Sequence, residues 1–352
     1  IILTFFIFQL IGCASIGPDI IQASGNDYNI AIQRTSDEQL LLNLVRLKYR
    51  DTPFFLEVNS VSSQFKLFSE AGISANFKKQ NTPENIGLSG KLNFTEQPTV
   101  TYLPLHGDEF IQKLLAPISL ETILLLANSG WSVERIMRLT VQNINGIPNA
   151  PTASGPTPKM APEYTDFLSI ASLFRELQNK GAFQLAYKKT EKNKQATIVF
   201  NNKQEELVAQ VRKKLNLDEQ NSYKLSLGQG ISNDKKRIVL STRSLLGVMY
   251  FLSHSVDVPD KDKIDGKVTI TQDKSGKDYD WYDLTQGLFK INSAAEINKE
   301  IGIGTNYRGS WFYIDDSDLD SKSTFSLLTQ LFSLQSGNAE GITPVLTLPI
   351  GN

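Results

Sequence analysis

The sequence predicts an α+β fold in which helices pack on mostly antiparallel sheets. Three observations predict it. Apolar residues recur at near-helical spacing at Leu40, Leu41, Leu44, Val45 and Leu47, and the stretch 119–128 contains an ILLLA run. Period-two alternation appears at Leu92, Phe94 and again at Val100, Tyr102. A strand, a polar turn and an apolar helix follow one another at three places, beginning near Thr99, Arg237 and Trp311. Such units lay helices on one face of a sheet, and their recurrence admits an old internal duplication.

Taken in order, residues 14–35 carry Gly17, Pro18, Gly25 and Asn26 with few clustered apolar positions, the composition of a spacer. A helix follows, capped by Ser36 or Asp37 and ended before Pro53. Strands and hairpins are predicted over 54–105. Helices are predicted over 108–115 and 119–128, the latter capped by Ser119 and stopped at Gly130, with a third over 131–144. Five prolines crowd 148–162, which reads as a linker between an N-terminal domain (36–147) and a C-terminal domain (163–352). Beyond it come a helix over 164–180, strands over 183–187 and 196–201, and a charged helix over 204–215. The polar stretch 257–280 reads as an exposed loop or hairpin, and 344–350 as a strand whose prolines favour a sheet edge.

The charge balance narrows the function classes. Lys and Arg number 36 against 37 for Asp and Glu, so no global field draws the chain to nucleic acid. Cys13 is the single cysteine, which excludes an intramolecular disulfide framework and any cysteine-rich zinc site. No cofactor is expected.

Cys13 instead marks an address. Residues 1–12, IILTFFIFQLIG, are apolar and uncharged and stop at a small residue just before it. Spanning a bilayer takes roughly 20 such residues, so this run has the length of a signal-peptide apolar region, expected to continue upstream of Ile1 into a basic leader. Leu10-Ile11-Gly12-Cys13 resembles the lipobox of bacterial lipoproteins, which implies cleavage before Cys13 and acylation of its thiol. Several acyl chains, at roughly 0.8 kcal/mol per buried methylene, would tether the body permanently without inserting it. Ala14, rather than Asp, after the cysteine implies the outer membrane, facing the periplasm.

Motifs that carry chemistry are weak. Neither His106 nor His254 sits in a zinc-binding arrangement, and no G-x-S-x-G elbow nominates a nucleophile. His254 is read as a partner of a helix carbonyl end. The acidic run from Asp315 to Asp320 fails as a calcium loop, with Ser321 and Leu327 where glycine and glutamate belong; Asp320 and Ser321 are read as caps of the next helix. Gly302, Gly304 and Gly309 do not keep a dinucleotide spacing. Asp108, Glu109, Asp278 and Asp280 are acids for a glycan hydrolase only if the fold pairs them. Tyr279, Trp281 and Tyr282 form a possible partner-binding or glycan-stacking surface, or else a strand or helix start covering the core.

Three stretches together, Gly12 to Pro18, EQLLLNLVRLKYR over 38–50 and the WFYIDDSDLDSKSTFSLL run over 311–328, are similar to a family of Gram-negative lipoproteins without an assigned activity. The resemblance implies an envelope address and membrane attachment through the N-terminal lipid. The expectation is therefore a non-catalytic scaffold or interaction protein with envelope protein partners, with an envelope hydrolase or a small-ligand binder as the alternatives.

Overall fold

The computed structural model describes residues 16–77, 83–189, 194–201, 204–229, 234–297 and 301–336. Cys13, the predicted signal segment and the predicted edge strand 344–350 lie outside the described residues. Within them, contacts group into two units: a large one built from the chain before residue 56 and after 105, and a small one holding the hairpin between. The fold is α+β, with helices packed on mixed, mostly antiparallel sheets.

The large unit opens with α1 (Ile16–Lys48). The predicted spacer is thus a correction: 16–35 belong to the same helix as 36–48. Pro18 sits in the first turn, where its missing N–H is harmless. Gly25 costs about 1 kcal/mol against Ala, which one long helix absorbs. That half is mostly exposed from Gly25 on, so it leaves no apolar stripe to read, whereas Leu41, Leu44, Val45 and Leu47 are fully buried.

After the hairpin come α2 (Asp108–Leu115), α3 (Leu120–Asn128) and α4 (Val133–Thr140). Ser119 caps α3 by accepting the Thr122 N–H at 3.1 Å, and Gly130, at φ 92°, ends it as predicted. The expected third helix over 131–144 stops early. Val141–Ile144 is β3, turned back onto β4 (Ile147–Pro148) through Asn145 and Gly146, both at positive φ. Asn-Gly between apolar residues is the strongest short hairpin signal, and here it overrides helical spacing.

The chain continues through α5 (Thr165–Asn179), β5 (Phe183–Lys189), β6 (Lys194–Phe200), α6 (Glu205–Leu215), β7 (Ser222–Leu227) and β8 (Arg237–Thr242). Six strands form one sheet in the order β4-β3-β8-β7-β6-β5, antiparallel except for β7 against β8. Ile123, Ile136 and Phe174 from α3, α4 and α5 meet Ile144, Ile198 and Leu240 of the sheet in an interior lined entirely by apolar side chains.

Next come α7 (Leu245–Ser253), the short α8 (Asp260–Ile264) and α9 (Tyr282–Thr285), β9 (Asn292–Ala294), β10 (Ile303–Tyr307), β11 (Ser310–Ile314) and α10 (Leu319–Ser336). A second sheet, β10-β11-β9, is antiparallel throughout. Tyr49 at the end of α1 packs edge-on against Tyr307 and Phe312 of this sheet. Helix α7 is almost wholly buried, with Val248, Met249 and Leu252 at its centre.

The proline-rich segment is not a linker. Asn149, Ala150, Ala153 and Thr157 are buried, and residues 151–154 form one 3-10 turn packed on α7. The cause is Arg243. Its guanidinium is 1% exposed and donates to the carbonyls of Arg138, Leu139 and Val141 at the end of α4, to the Asn149 carbonyl and to Ser154 Oγ. Burial lowers its pKa to about 9, still above neutrality, so a cation caps α4 from inside and ties 149–154 to the core. Residues 36–147 and 163–336 are therefore not two domains, the hairpin aside.

The small unit is β1 (Leu56–Phe77) paired antiparallel with β2 (Pro83–Pro104), each 22 residues long, with register shifts at Val58/Ser60 and Asn76/Phe77. The three strand-turn-helix units thus place β2, β8 and β11 in three different sheets, with different neighbours, and do not repeat one another.

Candidate functional site

A cleft of about 520 Å³ opens in the large unit where the ends of α1 and α7 meet the stretches 255–258, 268–271 and 278–282. Its back is held together by backbone pairing. Asp257 N–H donates to the Ile291 carbonyl at 2.8 Å, and Tyr279 N–H to the Thr271 carbonyl at 2.8 Å. Between Thr271 and Tyr279 the chain reverses tightly. Asp273 Oδ1 accepts from the N–H groups of Ser275 and Lys277, with Gly276 at φ 83°. The polar stretch 257–280 is thus part hairpin, as predicted, yet it also contains α8 and the buried Asp262 and Thr271.

All three sequence-nominated aromatics line this cleft, in different roles. Trp281 is buried. Its Nε1 donates to Thr271 Oγ1 at 3.1 Å and its ring stacks on the His254 imidazole, centroids 4.2 Å apart. Tyr279 stands edge-on to Trp281 at 5.3 Å, its hydroxyl buried beside that of Tyr164; burial, with the Tyr164 hydroxyl close by, pushes the phenol up. Tyr282 is 49% exposed, with Lys290 Nζ 5.6 Å from its ring centre. Trp281 therefore serves the core, while Tyr282 offers contact area to an incoming group.

Lys48 is the residue that sequence reasoning missed. It is 6% exposed, lines the cleft, and its Nζ meets the His254 carbonyl at a long 3.4 Å. No carboxylate lies in ion-pair range of it among the described residues. Burial, with Lys263 nearby, lowers its pKa to about 8, against a smaller opposing pull from Asp257. One signal was present: Lys48 follows Leu41 and Leu44 at i+7 and i+4, on the stripe read as core.

His254 has no free nitrogen to offer. The Ala153 carbonyl can only accept, so Nε2 carries the proton across that 3.0 Å contact, and Nδ1 faces Thr157 Oγ1 at 3.4 Å. Burial, reinforced by the Lys48 charge, lowers its pKa to about 3, so the ring is neutral. The expected service to the helix end falls to Lys48, which bonds the His254 carbonyl. His106 is exposed and does not line the cleft.

Of the acids considered for glycan chemistry, Asp278 and Asp280 line the cleft, Glu109 pairs with Lys113 at 2.8 Å, and Asp108 stands in the first turn of α2. The acidic run is engaged structurally. Asp318, not Asp320, caps α10 by accepting from Ser321 N–H at 3.0 Å, because the helix starts at Leu319; Asp320 pairs with Arg135 at 2.6 Å and Asp316 with Lys322 at 2.6 Å. Among the described residues, no cluster of three potential metal ligands exists and no helix is long and apolar enough to cross a membrane. Gly304 lies in β10, where an added Cβ would meet Ile301 Cδ1.

The arrangement can hold an anionic group against a buried amine while a ring stacks at the mouth. Set against protein-family models, curated proteins and solved structures, the chain matches none.

Proposed function

We propose that this chain is a lipid-anchored envelope lipoprotein, facing the periplasm from the outer membrane, whose body binds without catalysing. The address rests on the apolar run and Leu10-Ile11-Gly12-Cys13. The binding role rests on one observation: a buried Lys48 amine without a carboxylate partner at the wall of a 520 Å³ cleft that also carries Tyr282. A buried cation with incomplete hydrogen bonding is an energetic liability unless something completes it. A carboxylate or phosphate on a small molecule or on a protein partner would do so, with a planar or ring-bearing part resting on Tyr282.

A melting-temperature screen with aromatic carboxylates and sugar phosphates tests this. The expected result is a rise with at least one class that disappears in Lys48→Met and shrinks in Tyr282→Ala. No rise with either class, in a protein that melts cooperatively, overturns the binding role. Mass spectrometry of the mature N-terminus tests the address separately; an unmodified Cys13 overturns it.

A further inference from the structure

The β1–β2 hairpin has a division of faces that a soluble ornament does not need. Paired residues of an antiparallel ladder share a face, so the register sorts the sequence. Leu67 pairs with Phe94, Ile73 with Leu88 and Ala75 with Ile86. On that same face Ser69 pairs with Leu92 and Ala71 with Gly90, so from Leu67 to Phe77 it carries no charge. The other face over the same span pairs Glu70 with Lys91, Gly72 with Ser89, Ser74 with Gly87 and Asn76 with Asn85, and holds one large apolar residue, Phe68.

The dimensions match a bilayer. Roughly 11 residues per strand at about 3.3 Å rise, tilted by about 40°, cover about 28 Å, close to the height of the apolar band of membrane barrels. Phenylalanines mark both ends of the band, Phe65 and Phe94 at one and Phe77 at the other. Such girdles, apolar outside and polar inside with period two, define strands of a transmembrane barrel. At the base of the hairpin Val100 and Tyr102, on the apolar side of the alternation, are 39% and 41% exposed.

Two strands cannot cross a membrane alone, because each leaves an unpaired edge. Among the described residues this sheet has two strands, and both outer edges are open. Copies of one chain can close it edge to edge, each adding two strands; a barrel of about 16 strands, the size that leaves an aqueous channel, takes about eight copies.

We infer that several copies of this chain assemble their β1–β2 hairpins into one transmembrane β-barrel, with the Leu67–Leu88 face against lipid and the Glu70–Lys91 face lining an aqueous lumen. The inference goes beyond tethering by Cys13 and does not use the cleft.

The test uses the full chain, purified with its N-terminus intact and reconstituted into phosphatidylethanolamine–phosphatidylglycerol vesicles. Single cysteines at Ser69 or Ile73, and at Ser74 or Asn76, carry an environment-sensitive fluorophore. Lipid-borne quenchers are expected to reduce emission at 69 and 73 by at least about two-fold and to leave 74 and 76 unchanged, a period-two pattern. Planar bilayers are expected to show discrete ion conductance that is lost in Ile73→Arg. Uniform water exposure at all four sites overturns the proposal. So does shielding of 69 and 73 without lipid quenching, which would place another protein surface there, or the absence of conductance. Labelling of Cys13 itself would sink the anchor while leaving the quenching pattern to decide the barrel.

Discussion

The Lys48 ammonium reaches the carbonyl of His254 across 206 residues of sequence, and this 3.4 Å contact is the only hydrogen bond its buried amine makes among the described residues. A lysine whose folded pKa is about 8 binds its proton less well than in the unfolded chain, where it titrates near 10.5. Below pH 8 both states are protonated and the burial penalty is fully present. Between about 8 and 10.5 the folded state has released a proton the unfolded chain still holds, so stability rises with pH. Lys48→Met is expected to stabilise the unliganded protein at pH 7 by about 1–3 kcal/mol and to flatten this alkaline rise, read from urea melts across the window. A destabilised variant that kept the slope would show that the amine is not the buried charge described here.

His254 titrates in the opposite region with the same sign. Its folded pKa is about 3 against 6.5 in the unfolded chain, so as pH falls from 6.5 the unfolded state gains a proton that the folded state refuses. Stability is expected to fall steadily between pH 6.5 and 3, with a smaller fall in His254→Gln. Carbon chemical shifts of the imidazole should stay at neutral values down to pH 4.5 or below, roughly 2 units under an unperturbed histidine.

Arg243 supports four carbonyls and one hydroxyl, with no carboxylate partner among the described residues. Arg243→Met strands these acceptors and is expected to destabilise by about 3–5 kcal/mol, measured by denaturant melts. Arg243→Lys keeps the charge but not the fork, and is expected to lose about 2 kcal/mol.

Asn145 holds φ 48° and bridges two elements, accepting from the Val239 N–H at 2.7 Å and donating to the Leu215 carbonyl at 3.1 Å. Asn145→Ala incurs the left-handed strain and leaves both groups unpaired, with an expected loss of about 2–4 kcal/mol. Asn145→Gly relieves the strain and is expected to lose about 1–2 kcal/mol, so the difference between the two isolates the turn.

What could be read in advance was local. Ser119 before an apolar run and the alternation at Leu92 and Phe94 are short-range devices, and each sits where nearest-neighbour physics puts it. Residues 16–35 were misread because an exposed helix leaves no apolar stripe. The 141–148 hairpin was legible in Asn145-Gly146 but overlaid by apolar residues at helical spacing. The cleft was half legible: Tyr279, Trp281 and Tyr282 stand adjacent in sequence, while Lys48 reaches them only through the packing of α1 on α7. Likewise, nothing near the prolines announces that Arg243, about ninety residues on, makes their segment part of the core.

That strap changes how the molecule can be taken apart. A gene cut at 148–162 would sever a shared interior, leaving one fragment with the naked carbonyl end of α4 and the other with a guanidinium that has lost its acceptors. Neither half should express as a stable product, and protease nicking there should bring down the large unit in one cooperative step.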